Sequence, residues 1–274
     1  MKELLLLLCI CTVVACGIPS NVYNNAGLVK FNKKDYNGAI QEFGIAIKMN
    51  PQDTIAYYYR GLAKANINLN EEAIKDYNQC INLGRNYAMV YFYKGNANFA
   101  LKKYEDAIHD YDLSIDLKPN LGVAVCNRGR AKGHLTKYAE SIIDYTKAIE
   151  ISHYDTAAHF YIALSYTDRG LSKYFLNDYK GALEDIDSAI EIDPNFIKAF
   201  ANKGFVESNL KKYDMAIADY NIAAKLAPKN AYIPFYIGQV YIKQGHKDLG
   251  YAEIRKAVDM GLKGGADSFK KYCP

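Results

Sequence analysis

Apolar residues recur along most of this chain with the three- and four-residue spacing of amphipathic α-helices. The stretch from Tyr91 to Pro119 shows the pattern most regularly, as two such segments separated by a short polar break. Apolar residues at i, i+3, i+4 and i+7 lie on one face of a helix. The stretch therefore predicts two paired helices joined by a turn, each with one face to bury.

This two-helix pattern returns at a fixed period. Glycines are spaced by 34 residues in two series, which comprise Gly27, Gly61, Gly95 and Gly129, then Gly170, Gly204 and Gly238. Sixteen residues after each glycine stands a large residue: Phe43, Tyr77, Tyr111, Tyr145, Ile186, Tyr220 and Ile254. We expect each glycine to let two helices approach closely and each large residue to fill the space between them. Since one pair leaves an apolar face open, stacked pairs are needed to bury a core.

The spacing, together with the prolines that close several units, resembles the tetratricopeptide repeat (TPR) family. The resemblance divides the chain into units at residues 20–53, 54–87, 88–121, 122–155, 156–196, 197–230 and 231–264. It implies an all-α fold, an α-solenoid in which about seven helix pairs form a right-handed superhelix. The first helix of each pair would line a concave groove. Residues 265–274 are predicted to form a C-terminal capping helix, because repeat arrays need polar ends.

One unit departs from the period. The interval from Gly129 to Gly170 is 41 residues, seven more than the repeat length. We therefore predict that the first helix of unit 156–196 is two turns longer than its neighbours. The added part would comprise Ala157, Ala158, Phe160 and Tyr161.

The N-terminus carries a different signal. After Lys2, an apolar run from Leu4 to Ala15 is too short to span a bilayer, which takes about 20 residues, but it has the length of a signal-peptide core. It ends in the sequence VVAC, which resembles the lipobox of bacterial lipoproteins. The resemblance implies a signal peptide at 1–15, a lipid on Cys16, a tether at 16–19 and attachment to a membrane of the cell envelope. An ordinary secretory signal, giving a secreted or periplasmic protein, and an uncleaved apolar terminus stay open.

The TPR resemblance also implies which side chains face the groove, because they come from fixed positions of the first helices. The partner-binding residues expected on this basis are Asn24, Asn32, Tyr58, Asn66, Phe92, Asn96, Phe99, Arg130, His134, Tyr174, Phe175, Phe205 and Asn209. Cys126 and Lys198 fall at the same helix positions. Aromatic rings supply contact area, and asparagines can hydrogen-bond a peptide backbone. The alternative is that many of these rings only pack between helices.

One TPR subfamily holds chaperone C-terminal carboxylates with lysine, arginine and asparagine side chains. At its basic positions this chain has Phe92, Leu164 and Asp168. We therefore do not predict that clamp.

Composition adds few candidates for chemistry. A net charge of +4 over 274 residues gives no basic stripe of the kind that indicates nucleic-acid binding. Cys126 and His134 lie eight residues apart on one predicted helix, about 12 Å of rise, which is too far for a nucleophile and its base. No catalytic residue, cofactor or metal site is predicted. Acidic residues that recur at one repeat position are interpreted as a solvated or inter-repeat face: Asp110, Asp144, Asp185 and Asp219.

These patterns favour a non-catalytic scaffold of the bacterial cell envelope that binds a protein or peptide in its groove. A glycan- or peptidoglycan-binding accessory protein of an envelope enzyme is the alternative, since aromatic grooves of this family can also hold sugar chains. A homo-oligomeric array is a third hypothesis.

Overall fold

The computed structural model describes residues 19–152 and 159–262. Over these residues the chain forms fourteen α-helices and no strand, which confirms the all-α prediction. Four predictions fall outside the described residues: the signal peptide at 1–15, lipidation of Cys16, the placement of Ala157 and Ala158, and the capping helix at 265–274.

The chain divides into two compact units, residues 1–119 and 120–274. The helices of the first unit are α1 (Ser20–Asn32), α2 (Tyr36–Met49), α3 (Thr54–Asn66), α4 (Asn70–Asn82), α5 (Ala88–Ala100) and α6 (Tyr104–Leu117). Those of the second unit are α7 (Gly122–His134), α8 (Tyr138–Ser152), α9 (His159–Phe175), α10 (Tyr179–Ile192), α11 (Ile197–Asn209), α12 (Tyr213–Leu226), α13 (Tyr232–Gln244) and α14 (Lys247–Asp259).

Within each unit, neighbouring helices pack in the order of the chain. The two helices of a repeat pack against each other, as α5 does on α6 and α9 on α10, and the second helix of one repeat packs on the first helix of the next. The helix α9 has 17 described residues, against 13 in each of the other first helices. Phe160 and Tyr161 lie in its first turn.

In each repeat, a large side chain of the second helix packs against a glycine of the first helix. Tyr111 on α6 is buried, and a methyl group added at Gly95 on α5 would lie 2.7 Å from its ring carbon Cε1. The same contact joins Gly61 to Tyr77 at 2.7 Å. A side chain at either glycine would hold the two helices apart, so these contacts explain the glycine period.

A second contact inside the repeats is electrostatic. On α4, the Asp76 carboxylate accepts hydrogen bonds from Arg60 Nε and Nη2 on α3 at 2.9 and 2.6 Å, and from Lys64 Nζ at 2.7 Å. Equivalent residues form the same salt bridges in later repeats: Lys94–Asp110, Arg128–Asp144, Lys132–Asp144, Arg169–Asp185 and Lys173–Asp185. The interpretation of these aspartates as a solvated or inter-repeat face is wrong, because they are buried and bind the two helices of one repeat together.

The repeat formed by α11 and α12 breaks this electrostatic rule. Where other repeats have Lys64, Lys132 or Lys173, it has Glu207, which is buried and hydrogen-bonded to the carboxyl group of Asp219. Burial and the neighbouring Asp219 raise the pKa of Glu207 to about 8. Two carboxyl groups in contact cannot both ionise at low cost, so the pair holds a proton near neutral pH.

The glycine contact predicts the effect of adding one methyl group. We expect Gly95→Ala to lower the free energy of unfolding by about 1 to 2 kcal/mol, because the overpacking cost exceeds the helix propensity that alanine gains. Chemical denaturation measures the change. Gly44, on α2, is the matched control, since the nearest atom to its added methyl lies 4.0 Å away. Gly44→Ala should be neutral or stabilising, and an equal effect of the two substitutions would contradict the account.

The carboxyl pair predicts a pH dependence of stability. The folded-state pKa of Glu207 lies near 8, above its ordinary value of 4.5, so its contribution is complete below pH 4.5 and is lost as the pH rises through 8. Between these values the folded chain holds one proton more than the unfolded chain, and the free energy of unfolding falls by about 1.4 kcal/mol per pH unit on its account. Glu207→Gln should remove this decline in denaturation curves recorded at pH 5.5, 6.5 and 7.5. Lys132→Gln, at the equivalent position, should keep it; identical slopes for Glu207→Gln and the natural chain would show that the pair does not hold a proton.

Candidate functional site

A cleft of about 410 Å³ opens in the second unit between the first helices of consecutive repeats. The helices α7, α9 and α11 supply most of its wall, and the start of α8 closes one side. Its lining comprises Arg130, Gly133, His134, Thr136, Tyr138, Tyr145, Asp168, Leu171, Ser172, Phe175 and Lys198.

Helical spacing places these side chains together. On α7, Arg130 and His134 are four residues apart and therefore share one face. On α9, Asp168, Leu171 and Phe175 are spaced by three and four residues and share the face opposite. The cleft is thus built from regular helix positions, without an irregular loop.

The floor of the cleft carries a buried carboxylate between two cations. Asp168 is buried; its Oδ1 lies 2.6 Å from Lys198 Nζ and its Oδ2 lies 3.6 Å from Arg130 Nε. The three groups sum to one positive charge. Burial and the Arg130 charge lower the pKa of His134, so its imidazole is neutral at pH 7.

The cysteine beneath this face is not activated. Cys126 is fully buried, and burial raises the pKa of its thiol to about 11. Nucleophilic cysteines are exposed thiolates with a lowered pKa. Cys126 therefore serves as a small packing residue below Arg130.

Aromatic rings run from the cleft along the first helices of the second unit. The ring of Phe175 stacks on that of Tyr138 with centroids 4.8 Å apart, and it meets Tyr174 at 5.3 Å. Tyr174 in turn meets Phe205 on α11 at 5.3 Å. Phe175 and Phe205 are exposed. We call these four residues the aromatic row.

The predicted groove residues of the second unit are largely brought together. Arg130, His134 and Phe175 line the cleft, and Tyr174 and Phe205 extend the aromatic row. Asn209 is exposed and donates to the Phe205 carbonyl at 2.9 Å, outside the cleft.

The first unit holds a smaller cleft of about 290 Å³ that includes Asn66 and Asn96. Their amides also bond internally: Asn66 Nδ2 donates to the Leu62 carbonyl, and Asn96 Oδ1 accepts from Tyr111. The half-buried rings of Tyr58 and Phe99 pack in edge-to-face contacts with other rings, and Asn32 is exposed.

Two residues predicted to face the groove, Asn24 and Phe92, are buried, so the prediction is wrong for them. Asn24 is 7% exposed and donates to Asp53 Oδ2 at 2.8 Å, which joins α1 to the cap of α3. Phe92 is 6% exposed and packs against Tyr93 and Tyr111. Both side chains stabilise helix packing and offer no open surface to a partner.

Sequence reasoning missed the lining residues that do not come from first helices. Tyr138 and Tyr145 lie on α8, and Thr136 lies in the turn before it. In the sequence, Asp168 stands out only as a departure from the chaperone clamp. Its four-residue spacing to Ser172 and its distance of 30 residues from Lys198 carry no motif that would have joined it to the cations.

Two further observations bear on chemistry. Over residues 19–152 and 159–262, His, Cys, Asp and Glu side chains form no group of three that could hold a metal ion. None of the helices described here is both long enough and apolar enough to cross a bilayer.

Comparison with known proteins shows which family has this architecture. Sequence models of the tetratricopeptide repeat match residues 24–84, 88–121, 163–196 and 197–230, which together exceed half of the chain. The chain is 28% identical over 106 residues to a DnaJ homolog subfamily C member 7 homolog of Dictyostelium discoideum, which covers 39% of this chain and 19% of that protein. It is 33% identical over 66 residues to Hsp70-Hsp90 organizing protein 3 of Arabidopsis thaliana, covering 24% of this chain and 12% of that protein. The matches thus span less than a quarter of either relative.

A solved structure agrees over nearly the whole chain. A tetratricopeptide repeat protein from Parabacteroides merdae superposes with a TM-score of 0.73 at 17% identity, covering 92% of this chain and 97% of that one. At that identity the likeness concerns the fold alone. With its glycine contacts, paired helices and repeat matches, this chain belongs to the tetratricopeptide repeat family.

Proposed function

We propose that this chain is a non-catalytic scaffold that binds a peptide or partner segment in the cleft of its second unit. Tetratricopeptide repeat proteins generally mediate protein–protein interactions. The observation that carries the proposal is the cleft itself, where Arg130, Lys198 and Phe175 meet on three helices. Its volume of about 410 Å³ suits a few peptide side chains.

The polar groups of the cleft are suited to binding more than to reaction. The Arg130 guanidinium is a hydrogen-bond donor that can pair with a ligand's backbone carbonyls or side chains. The Cys126 thiol is buried and protonated, and His134 has no such nucleophile to activate. This arrangement supports recognition without covalent chemistry.

Location in the cell envelope is the second part of the proposal. It rests on the apolar run from Leu4 to Ala15 and on Cys16 directly after it. A lipid on Cys16 would hold the repeats at a membrane surface, where the cleft could recruit an envelope protein.

The aromatic row supports glycan binding as an alternative function. Stacked and exposed rings such as Phe175 and Phe205 offer flat apolar faces, which can also pack on the rings of a sugar chain. Glycan or peptidoglycan binding is therefore the second candidate function. Crosslinking from the cleft distinguishes the two candidates, because the adduct is a protein in one case and a glycan in the other.

Binding at the cleft predicts position-specific crosslinking. With Phe175→p-benzoylphenylalanine, illumination of cells that make the chain should give discrete adducts that mass spectrometry identifies as protein, because Phe175 lines the cleft. The same replacement at Tyr232, an exposed aromatic residue of α13 outside the cleft lining, is the matched control. Glycan adducts at position 175 would support the alternative. Equal adducts at both positions, or none at 175, would contradict the proposed site.

Membrane attachment predicts lipid incorporation. Cells supplied with labelled palmitate should label the natural chain, and Cys16→Ser should abolish the label because serine has no thiol to acylate. Cys126→Ser serves as the control and should leave the label unchanged, since Cys126 is buried. Labelling that survives Cys16→Ser would overturn the anchoring proposal and leave the cleft proposal intact.

A further inference from the structure

We propose that the first unit carries a separate binding site for an uncharged oligosaccharide, in the cleft of about 290 Å³ between α3 and α5. The site goes beyond the proposed function, because it uses other residues than the second-unit cleft and does not depend on what binds there. Several carboxamides and an aromatic ring, brought together in a cleft without charges, carry the proposal.

The first step is the charge of the cleft. Of the residues that the structure describes, none that lines this cleft carries a charge at neutral pH. The second-unit cleft, in contrast, is lined by Arg130, Asp168 and Lys198. A charged ligand in the first-unit cleft would lose contact with water and gain no opposite charge, so the lining favours an uncharged ligand.

The second step is the row of carboxamides along one rim of the cleft. Asn66 ends α3, Asn68 lies in the turn that follows, and Asn70 begins α4. Asn66 and Asn68 are exposed, and Asn66 Nδ2 donates to the Leu62 carbonyl at 2.8 Å, which leaves Asn66 Oδ1 as an acceptor for a ligand. A carboxamide presents a donor and an acceptor side by side. Such pairs complement the adjacent hydroxyl groups of a sugar, each of which both donates and accepts.

The third step is the aromatic ring in the wall that α5 forms. Tyr93 lines the cleft, and its ring meets that of Tyr58 edge to face with centroids 6.1 Å apart. The face of an aromatic ring carries partial negative charge. The C–H groups on one face of a sugar ring carry partial positive charge, so a sugar can pack on Tyr93 while its hydroxyl groups meet the carboxamides.

The fourth step is the apolar part of the lining, which separates a sugar from a peptide. Apart from Tyr93, it consists of one buried leucine and three alanines: Leu62, Ala65, Ala97 and Ala100. These small side chains provide methyl groups but no deep pocket for a large apolar side chain. A peptide would therefore bury little apolar surface here, whereas a sugar makes its main contacts through hydroxyl groups. The volume is close to the lower end for small-molecule sites and suits one or two sugar rings.

Calorimetric titration of the full chain tests the proposal. The neutral probes are chitotetraose, cellotetraose, maltotetraose and mannotetraose. Tetragalacturonate represents charged sugars, and an acetylated, amidated peptide of alanine and serine represents the peptide backbone. We expect at least one neutral tetrasaccharide to bind more tightly than either of these two. Since no charge contributes to binding, a rise in ionic strength should leave that affinity unchanged.

Substitution of the carboxamides locates the bound sugar. Asn66→Ala and Asn68→Gly should each weaken binding about fivefold, the change expected when one neutral hydrogen bond is lost. The matched controls are Asn209→Ala and Asn177→Gly, at the equivalent positions of the second unit. Asn209, like Asn66, donates to the carbonyl four residues before it, and Asn177, like Asn68, has a left-handed backbone that glycine also adopts. Both controls should leave the affinity unchanged.

Substitution of Tyr93 isolates the contribution of the ring. Tyr93→Leu should weaken binding by between about threefold and tenfold, because the aromatic face is lost. Tyr93→Phe keeps that face and should retain most of the affinity. Thermal unfolding by circular dichroism confirms that each variant is folded. Asn66→Ala is expected to fold, since alanine has the higher helix propensity.

Three results would overturn the first-unit site: no binding of any neutral tetrasaccharide, tighter binding of tetragalacturonate or of the blocked peptide, or an affinity that survives Asn66→Ala, Asn68→Gly and Tyr93→Leu. An affinity that falls with Phe175→Ala but not with Asn66→Ala would place the sugar on the aromatic row. That result would also overturn the first-unit site, and it would support the glycan alternative of the proposed function. Crosslinking from position 175 tests the second-unit cleft separately, so failure of either proposal is recognised independently of the other.

Discussion

Close approach of the two helices in each repeat is the constraint on which the rest of the structure depends. A large buried side chain on the second helix touches a glycine on the first, as Tyr111 touches Gly95, and no other residue type leaves that space. The contact fixes the distance and rotation of the helices in a pair. The faces that remain open then pack on the neighbouring pair, so a single contact, repeated, generates each compact unit.

The buried ion pairs depend on that distance. Once the helices are close, Asp76 lies within reach of both Arg60 and Lys64. Three hydrogen bonds then offset the free-energy cost of removing the Asp76 carboxylate from water. The carboxyl pair of Glu207 and Asp219 shows the same geometry with the cation replaced. There a bound proton takes the place of the lysine, so the stability of this repeat depends on pH.

The fold could be predicted from sequence because its determinants are local and periodic. Gly61 and Tyr77 stand sixteen residues apart in a pattern that recurs, and helix pairing follows from it. The site was harder to predict. A periodic pattern indicates which face of one helix a residue lies on, but not whether a neighbouring helix covers that face. Asn24 and Phe92 fit a groove position by repeat number, yet neighbouring helices cover them. The pairing of Asp168 with Lys198 joins two consecutive repeats, and only the packed structure reveals it.

The helix pairs of the second unit thus present a cleft in which a buried aspartate lies between two cations, beside an exposed aromatic ring. The central claim is that a peptide or partner segment binds in this cleft. The most direct test compares photocrosslinking from p-benzoylphenylalanine at position 175, in the cleft, with photocrosslinking from the same residue at position 232, outside its lining. The account predicts discrete protein adducts from position 175 and none from position 232; equal adducts at both positions, or none from position 175, would contradict the account.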